Sequence, residues 1–197
     1  MLLEMIPEQS GGTCRIVHSR EMVREGERWL SGDGFVAAVR DSGEAGAGWE
    51  VRISGTGLPA EWYLALPRAL VARGAARIEL ESWGWWLGEG PKPGEVAVLD
   101  HIACRLPSVL TGSVAARSGA AFLDMRGAYS AGPGGSESGV VVWHTEETEG
   151  LSEEEMEAAR LAGCAVASPS GVPWAIGARA AGCGFRAVLR CLYETWE

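Results

Sequence analysis

Two stretches of this chain hold the residues best suited to chemistry. Ala167-Ser168-Pro169-Ser170-Gly171-Val172-Pro173 sets two hydroxyls just before a helix start. The first turn of a helix has amide N–H groups without intrahelical partners, so such a stretch offers a place for an anion. Serine and proline also dominate ordinary helix starts, and a plain N-cap loop accounts for the same residues. The second stretch is Glu81-Ser82-Trp83-Gly84-Trp85-Trp86, with three indoles close together. Each aromatic ring brings about 150–250 Å² of surface, enough either to stack a flat ligand or to fill the interior.

Other chemistries find little support. His18, His101 and His144 have no metal-ligand spacing, and Cys14, Cys104, Cys164, Cys183 and Cys191 contain no C-x-x-C pair, so no metal is expected. Nothing matches G-x-S-x-G or a paired Cys-His context, which argues against a Ser-His-Asp or Cys-His nucleophile. Lys92 is the only lysine and sits in a Pro-Gly turn, a poor place for a Schiff base or a Walker-type phosphate loop.

Composition bounds the rest. With 197 residues and 47% hydrophobic content, the expectation is a single domain over 1–197 with a substantial core. The net charge of −9 repels phosphate backbones and argues against nucleic-acid binding. An odd cysteine number, mostly within apolar segments, suits buried reduced thiols of a cytoplasmic protein. Leu2-Leu3-Glu4-Met5-Ile6-Pro7 is too short and acidic for a signal peptide, and no apolar run approaches the roughly 18 residues of a membrane span.

The elements that must position these groups follow a β-α-β rhythm. Residues 1–48 are the least informative: a short apolar run at Ile16-Val17, an amphipathic helix expected over Glu21–Leu30, a strand over Phe35–Val39, and an acidic Gly-rich loop from Asp41 to Gly48. Trp49–Ile53 reads as a strand, Pro59–Arg73 as a helix with Gly74 at C′, and Ile78–Leu80 as a short strand. Strands are expected at Val96–Leu99, Val140–Trp143, Cys164–Ala167 and Phe185–Leu192, with a flexible loop over Gly132–Gly139. Ser152-Glu153-Glu154-Glu155 is a capping box opening a helix that ends at Gly163. Pro173 suits the first position of a helix ending near Gly182. This order favours an α/β sheet.

Several of these segments carry a family resemblance. Gly94-Glu95-Val96, Asp100-His101-Ile102, Leu110-Thr111-Gly112, Phe122-Leu123-Asp124-Met125 and Tyr129 follow in the order G-[DE]-[VI], DHI, L-x-G, F-x-x-M, Y. Together they resemble the trimeric purine nucleoside phosphorylases and methylthioadenosine phosphorylases. The resemblance returns at Gly163–Gly182 and covers the chain from about Trp49 onward, with 1–48 a shortened, divergent part. It implies a three-layer αβα domain with a mixed sheet, of the phosphorylase/hydrolase type. It also implies inorganic phosphate as co-substrate, if the protein is active, and no further cofactor.

The resemblance extends unevenly to the site. Phosphorolysis needs a held phosphate, a flanked oxocarbenium-like sugar and a proton shared with the leaving purine. Ser170 falls on the phosphate-contacting serine of the family's G-M-S-T-V-P-E, whereas Pro169 replaces a ribose-packing methionine and Trp174 an acidic residue. Trp83, Trp85 and Trp86 stand in the family's T-N-A-A-G-G, where glycines let the purine approach. The Gly-Ser-Gly loop after the first strand has no counterpart, and Val51–Gly55 lacks the Gly-Arg-x-His motif. The acids of Thr145–Leu151 are displaced from G-P-x-F-E-T. Tyr193, with Glu194 beside it, replaces the purine-contacting Asn or Asp. Phe122 matches a phenylalanine that crosses the subunit interface to cover a neighbour's sugar. His101, within the DHI motif, is expected to tie a loop down.

The expected function is therefore that of a divergent family member with impaired phosphorolysis, serving as a structural or regulatory subunit or binding a nucleoside-like ligand. The expected assembly is a homo-oligomer, a trimer by resemblance, or a hetero-oligomer with an intact paralogue. The alternative is an active phosphorylase or nucleosidase with a remodelled site. A small-molecule sensor built on Trp83, Trp85 and Trp86 stays open.

Overall fold

The computed structural model describes residues 12–20, 28–32, 35–41, 47–56, 58–103, 107–110, 123–129, 139–148 and 150–192. The strands are β1 (Thr13–Ser19), β2 (Arg28–Gly32), β3 (Phe35–Asp41), β4 (Ala47–Gly55), β5 (Arg77–Trp86), β6 (Glu95–Ile102), β7 (Val140–His144), β8 (Val166–Ser168) and β9 (Gly184–Leu192). The helices are α1 (Trp62–Ala72), α2 (Glu153–Leu161) and α3 (Gly171–Ala181), with a short 3₁₀ turn at Ser108–Leu110. They form a mixed sheet in the order β2-β3-β4-β1-β5-β8-β7-β6-β9, and β9 returns to pair with β5. One end of the sheet therefore closes on itself through β5, β8, β7, β6 and β9, while β1, β4, β3 and β2 extend from β5.

β5 is the hinge of this topology because its outer edge changes partner. Arg77–Glu81 pair in parallel with Thr13–Val17 of β1, and Trp85-Trp86 pair antiparallel with β8. On the other edge, Arg77–Trp85 run in parallel register with Gly184–Leu192. Gly84 makes the exchange possible. A Cβ there would stand 2.5 Å from Val166 Cγ1 and 2.6 Å from the Ala167 carbonyl oxygen, so any side chain would push β8 away.

Alternation along the strands builds the layers. Cys14 and Ile16 of β1, Val51 and Ile53 of β4, Ile78 and Leu80 of β5, and Phe185, Ala187 and Leu189 of β9 are buried in one core. Leu66, Leu70, Trp174, Ala175 and Ala178 of α1 and α3 complete it. The two helices meet at Gly177, where a Cβ would lie 1.7 Å from the Tyr63 carbonyl oxygen. On the opposite face of β5, Trp83 and Trp85 join Leu87, Trp143, Leu151 and Ala159 of α2 in a second cluster. Helices thus lie on both faces of a mixed sheet, the three-layer α/β arrangement the resemblance implies.

Some local expectations change. Trp29 and Leu30, placed in a helix by their spacing, lie in β2 opposite Ala38 and Ala37 of β3, so cross-strand pairing overrides local periodicity. The remainder of that expected helix, 21–27, lies outside the described residues, as do 42–46 of the acidic loop and 132–138 of the Gly/Ser loop. Asp41, Ala47 and Gly48, expected in a loop, end β3 and begin β4. β5 continues through Trp86 rather than stopping at Leu80. Ser152 Oγ accepts the Glu155 amide at 3.1 Å, but the Glu155 carboxylate takes the Trp143 indole N–H at 3.1 Å instead of closing the capping box. Pro173 is the third residue of α3, not the first. Gly74 and Gly182 follow α1 and α3 with φ of +99° and +75°, conformations glycine adopts without a Cβ clash.

Candidate functional site

The site begins where β1 parts from β5. Val17 opposite Glu81 is the last pair between them, and His18 and Ser19 then pair only with Ile53 and Ser54 of β4. His18 keeps the inward-facing parity of Cys14 and Ile16, so its imidazole is carried into the core, 4% exposed. Trp174 Nε1 can only donate, and it lies 3.2 Å from His18 Nδ1. Nδ1 is therefore the acceptor, and Nε2–H donates to the Gly55 carbonyl at 3.1 Å. Both ring nitrogens are used by a neutral imidazole. Burial pushes its pKa down to about 4, against a smaller upward pull from the Gly55 carbonyl. Tyr63 meets Trp174 edge-on with ring centroids 4.7 Å apart, and burial pushes its phenol pKa up.

Beside this pair lies a second closed polar network. Ser82 follows the inward parity of Ile78 and Leu80, and its Oγ lies 2.6 Å from Ser170 Oγ at the start of α3. Ser168 Oγ donates to the Trp83 carbonyl at 2.8 Å and accepts the Gly171 amide at 3.2 Å. Ser168, not Ser170, thus takes up the first helical amide. All three serines are buried. The polar groups at this helix start already bond to one another, and an anion entering there would have to break the Ser82–Ser170 contact.

The other face of the same strands borders a cleft of about 720 Å³. It lies beyond the last β1–β5 pair, at the carboxyl ends of parallel strands, where open α/β sheets commonly take ligands. Val17 and Ser19 of β1, Glu81 and Trp83 of β5, and Val188, Arg190 and Leu192 of β9 share this outward parity and line it. His18, Ser82 and Cys191 reach it between the strands, and Arg20, Lys92 and Glu95 complete the rim. The Arg20 guanidinium sits 5.8 Å from the Trp83 ring centroid, a cation–π distance. Lys92 Nζ donates to the Cys191 carbonyl at 2.7 Å, and Glu81 is ion-paired with Arg15.

The structure separates the residues singled out from sequence. Ser170 is buried at the start of α3, on the opposite face from the main cleft wall. Trp83 borders the cleft and meets Trp85 edge-on at 5.0 Å between centroids. Trp85 is 2% exposed within the second core cluster. Trp86 is half-buried on the other side of β5, its indole N–H donating to the Gly90 carbonyl at 3.2 Å. Phe122, Tyr193 and Glu194 lie outside the described residues. The Asp100 carboxylate accepts the His101 amide at 2.8 Å, and the His101 ring packs on Tyr129 at 5.7 Å. His144 is buried, with its pKa pushed down to about 4, chiefly by desolvation. Among the described residues no three His, Cys, Asp or Glu side chains group as metal ligands.

Sequence reasoning gave no site role to Ser82 or Arg190, weighed His18 only as a metal ligand and took Trp174 only as the replacement of an acidic residue. A signal for His18 was present: Cys14, Ile16 and His18 alternate along Thr13–Ser19, which puts the histidine on the core face. Nothing local marks its contact with Trp174, 156 residues away.

No family model and no curated protein matches this chain. Solved structures do. Schistosoma mansoni purine nucleoside phosphorylase in complex with BCX-34 is 17% identical, with a TM-score of 0.66 over 98% of this chain and 84% of that one. The same organism's enzyme with inosine is 16% identical (TM-score 0.66, covering 98% and 80%). With adenosine it is 17% identical (TM-score 0.67, covering 98% and 80%). No described helix is long and apolar enough to cross a membrane. This chain has the α/β fold seen in purine nucleoside phosphorylases.

Proposed function

We propose that this chain is a divergent member of the nucleoside phosphorylase family with impaired phosphorolysis, acting as a nucleoside-like ligand binder or as a structural or regulatory subunit. The observation that carries this reading is the 2.6 Å contact between Ser82 and Ser170. The resemblance puts the phosphate-contacting serine at Ser170 and the phosphate loop after the first strand. In this chain the first described strand ends at His18-Ser19, and His18 is already bonded to Gly55 and Trp174. The hydroxyl that would meet phosphate is thus engaged with Ser82. Removing a single donor of this kind costs about 10²–10³-fold in rate.

The test is release of free base from inosine, guanosine, adenosine and methylthioadenosine, with and without phosphate. The reading expects negligible phosphate-dependent release, and turnover of about 1 per second or faster, the ordinary enzymatic range, would overturn it.

A second reading is an active phosphorylase or nucleosidase with a remodelled site, taking phosphate as co-substrate and no further cofactor. The cleft at the carboxyl ends of β1, β5 and β9 favours it, and the same assay decides. For assembly we propose a homo-oligomer, a trimer by resemblance, or a mixed oligomer with an intact paralogue, with Phe122 at the contact. A cytoplasmic setting fits the four described cysteines, all of them free thiols.

A further inference from the structure

The cleft wall formed by Glu81, Trp83, Val188 and Arg190 lies on the outward face of its strands, and of the serine pair only Ser82 reaches the cleft. We propose that this cleft binds a small organic monoanion with an apolar, ring-bearing body, of the aromatic carboxylate class. Its volume of about 720 Å³ falls within the usual range for small-molecule pockets.

Charge selects the sign of the ligand. The chain carries −9 overall, yet Arg20, Lys92 and Arg190 converge here against Glu81 and Glu95. Among the described lining residues these three cations outnumber the two carboxylates, and Arg15 pairs with Glu81 from the neighbouring strand. A concave site focuses that potential and draws in an anion from an otherwise acidic surface. The carboxylate of Glu95 in the same rim opposes a second negative charge, so a monoanion fits better than a polyphosphate.

The walls select the body of the ligand. Val17, Val188 and Leu192 supply aliphatic surface, and Trp83 supplies an aromatic edge. The Trp83 indole N–H is buried and has no acceptor among the described residues. Buried donors are seldom left unmade, and an acceptor on the ligand would complete this one. Arg190 closes the recognition with a fork suited to a carboxylate.

The experiment is calorimetric titration of the full chain with 1-naphthoate and with 1-naphthamide, which shares the ring but lacks the charge. The expected result is sub-millimolar binding of naphthoate and at least tenfold weaker binding of the amide. Arg190→Ala should weaken naphthoate at least tenfold without changing the amide, and Glu95→Gln should tighten it. Arg190 is exposed, so its removal should leave the fold intact, checked by circular dichroism. Equal binding of acid and amide, no binding of either at millimolar concentration, or indifference of naphthoate to Arg190→Ala would each overturn the proposal.

Discussion

Ser82 and Ser170, 88 residues apart in the chain, bring their hydroxyl oxygens to 2.6 Å in the interior. The contact ties the middle of β5 to the start of α3, where a bound anion would otherwise find donors. Replacing one partner strands the other in a buried site, at a cost of about 1–3 kcal/mol. Ser170→Ala and Ser82→Ala should each destabilise by that order in urea unfolding. The double variant should lose clearly less than the sum, because its second change removes a group already unpaired. Strict additivity would mean that the hydroxyls do not interact.

His18 makes stability depend on pH. Its pKa is about 4 in the folded chain, against about 6.5 unfolded. Between these values the unfolded chain binds the extra proton, so the contribution is complete above about pH 6.5 and is lost as pH falls toward 4. Two and a half pH units correspond to about 3 kcal/mol for a fully buried group. His144, also lowered to about 4, adds a second such group. Unfolding free energy followed from pH 7.5 to 4.5 should fall, and His18→Gln should remove about one proton from that slope. An unchanged slope would show that His18 is not buried neutral.

The strands were legible where one face is core and the other is not. Ile16-Val17, Trp49–Ile53, Val140–Trp143 and Phe185–Leu192 all reappear within strands, because alternation and β-branched content leave no competing arrangement. β5 was cut short in sequence because Ser82 to Trp85 is buried on both faces and does not alternate. β2 was misread because two apolar residues in a charged background satisfy helical spacing as well as strand spacing. The site was the least legible part. His18, Ser82, Ser170 and Trp174 come from three regions of the chain; direct β1–β5 pairing sets His18 near Ser82, and β5–β8 pairing brings the start of α3 to them. The DHI segment that carries the family resemblance sits instead on β6.

Gly84 predicts a steric failure. Gly84→Ala would place its methyl within 2.6 Å of the Ala167 carbonyl. Because that neighbour is backbone, β8 must move, and the expected loss is about 1–3 kcal/mol. Hydrogen exchange should show faster opening at Leu87, whose amide donates to the Ala165 carbonyl beside the affected pairing. Wild-type protection at Leu87 in this variant would contradict the arrangement.

The tryptophans should separate by position. Trp85→Ala removes a 2% exposed indole and should cost about 3–5 kcal/mol. Trp86→Ala should cost less, since its ring is half-buried and its N–H bonds to a turn. Equal losses would place both rings in one environment, against the opposite parity seen along β5.

Assembly is tested by light scattering of wild type and Phe122→Ala at micromolar concentration, alone and mixed with any intact paralogue. The expectation is an oligomer that Phe122→Ala weakens. A monomer under every condition would remove the assembly proposal while leaving the fold untouched.

That Ser170 is engaged by Ser82 rather than available to phosphate is tested most directly by unfolding in inorganic phosphate. A site of millimolar affinity would stabilise the chain by about 2.7 kcal/mol at a hundredfold excess over its dissociation constant. About 100 mM phosphate should shift wild type and Ser170→Ala equally, as a general salt effect does. Stabilisation of the wild type by about 2–3 kcal/mol more than Ser170→Ala would show a working phosphate site and contradict it.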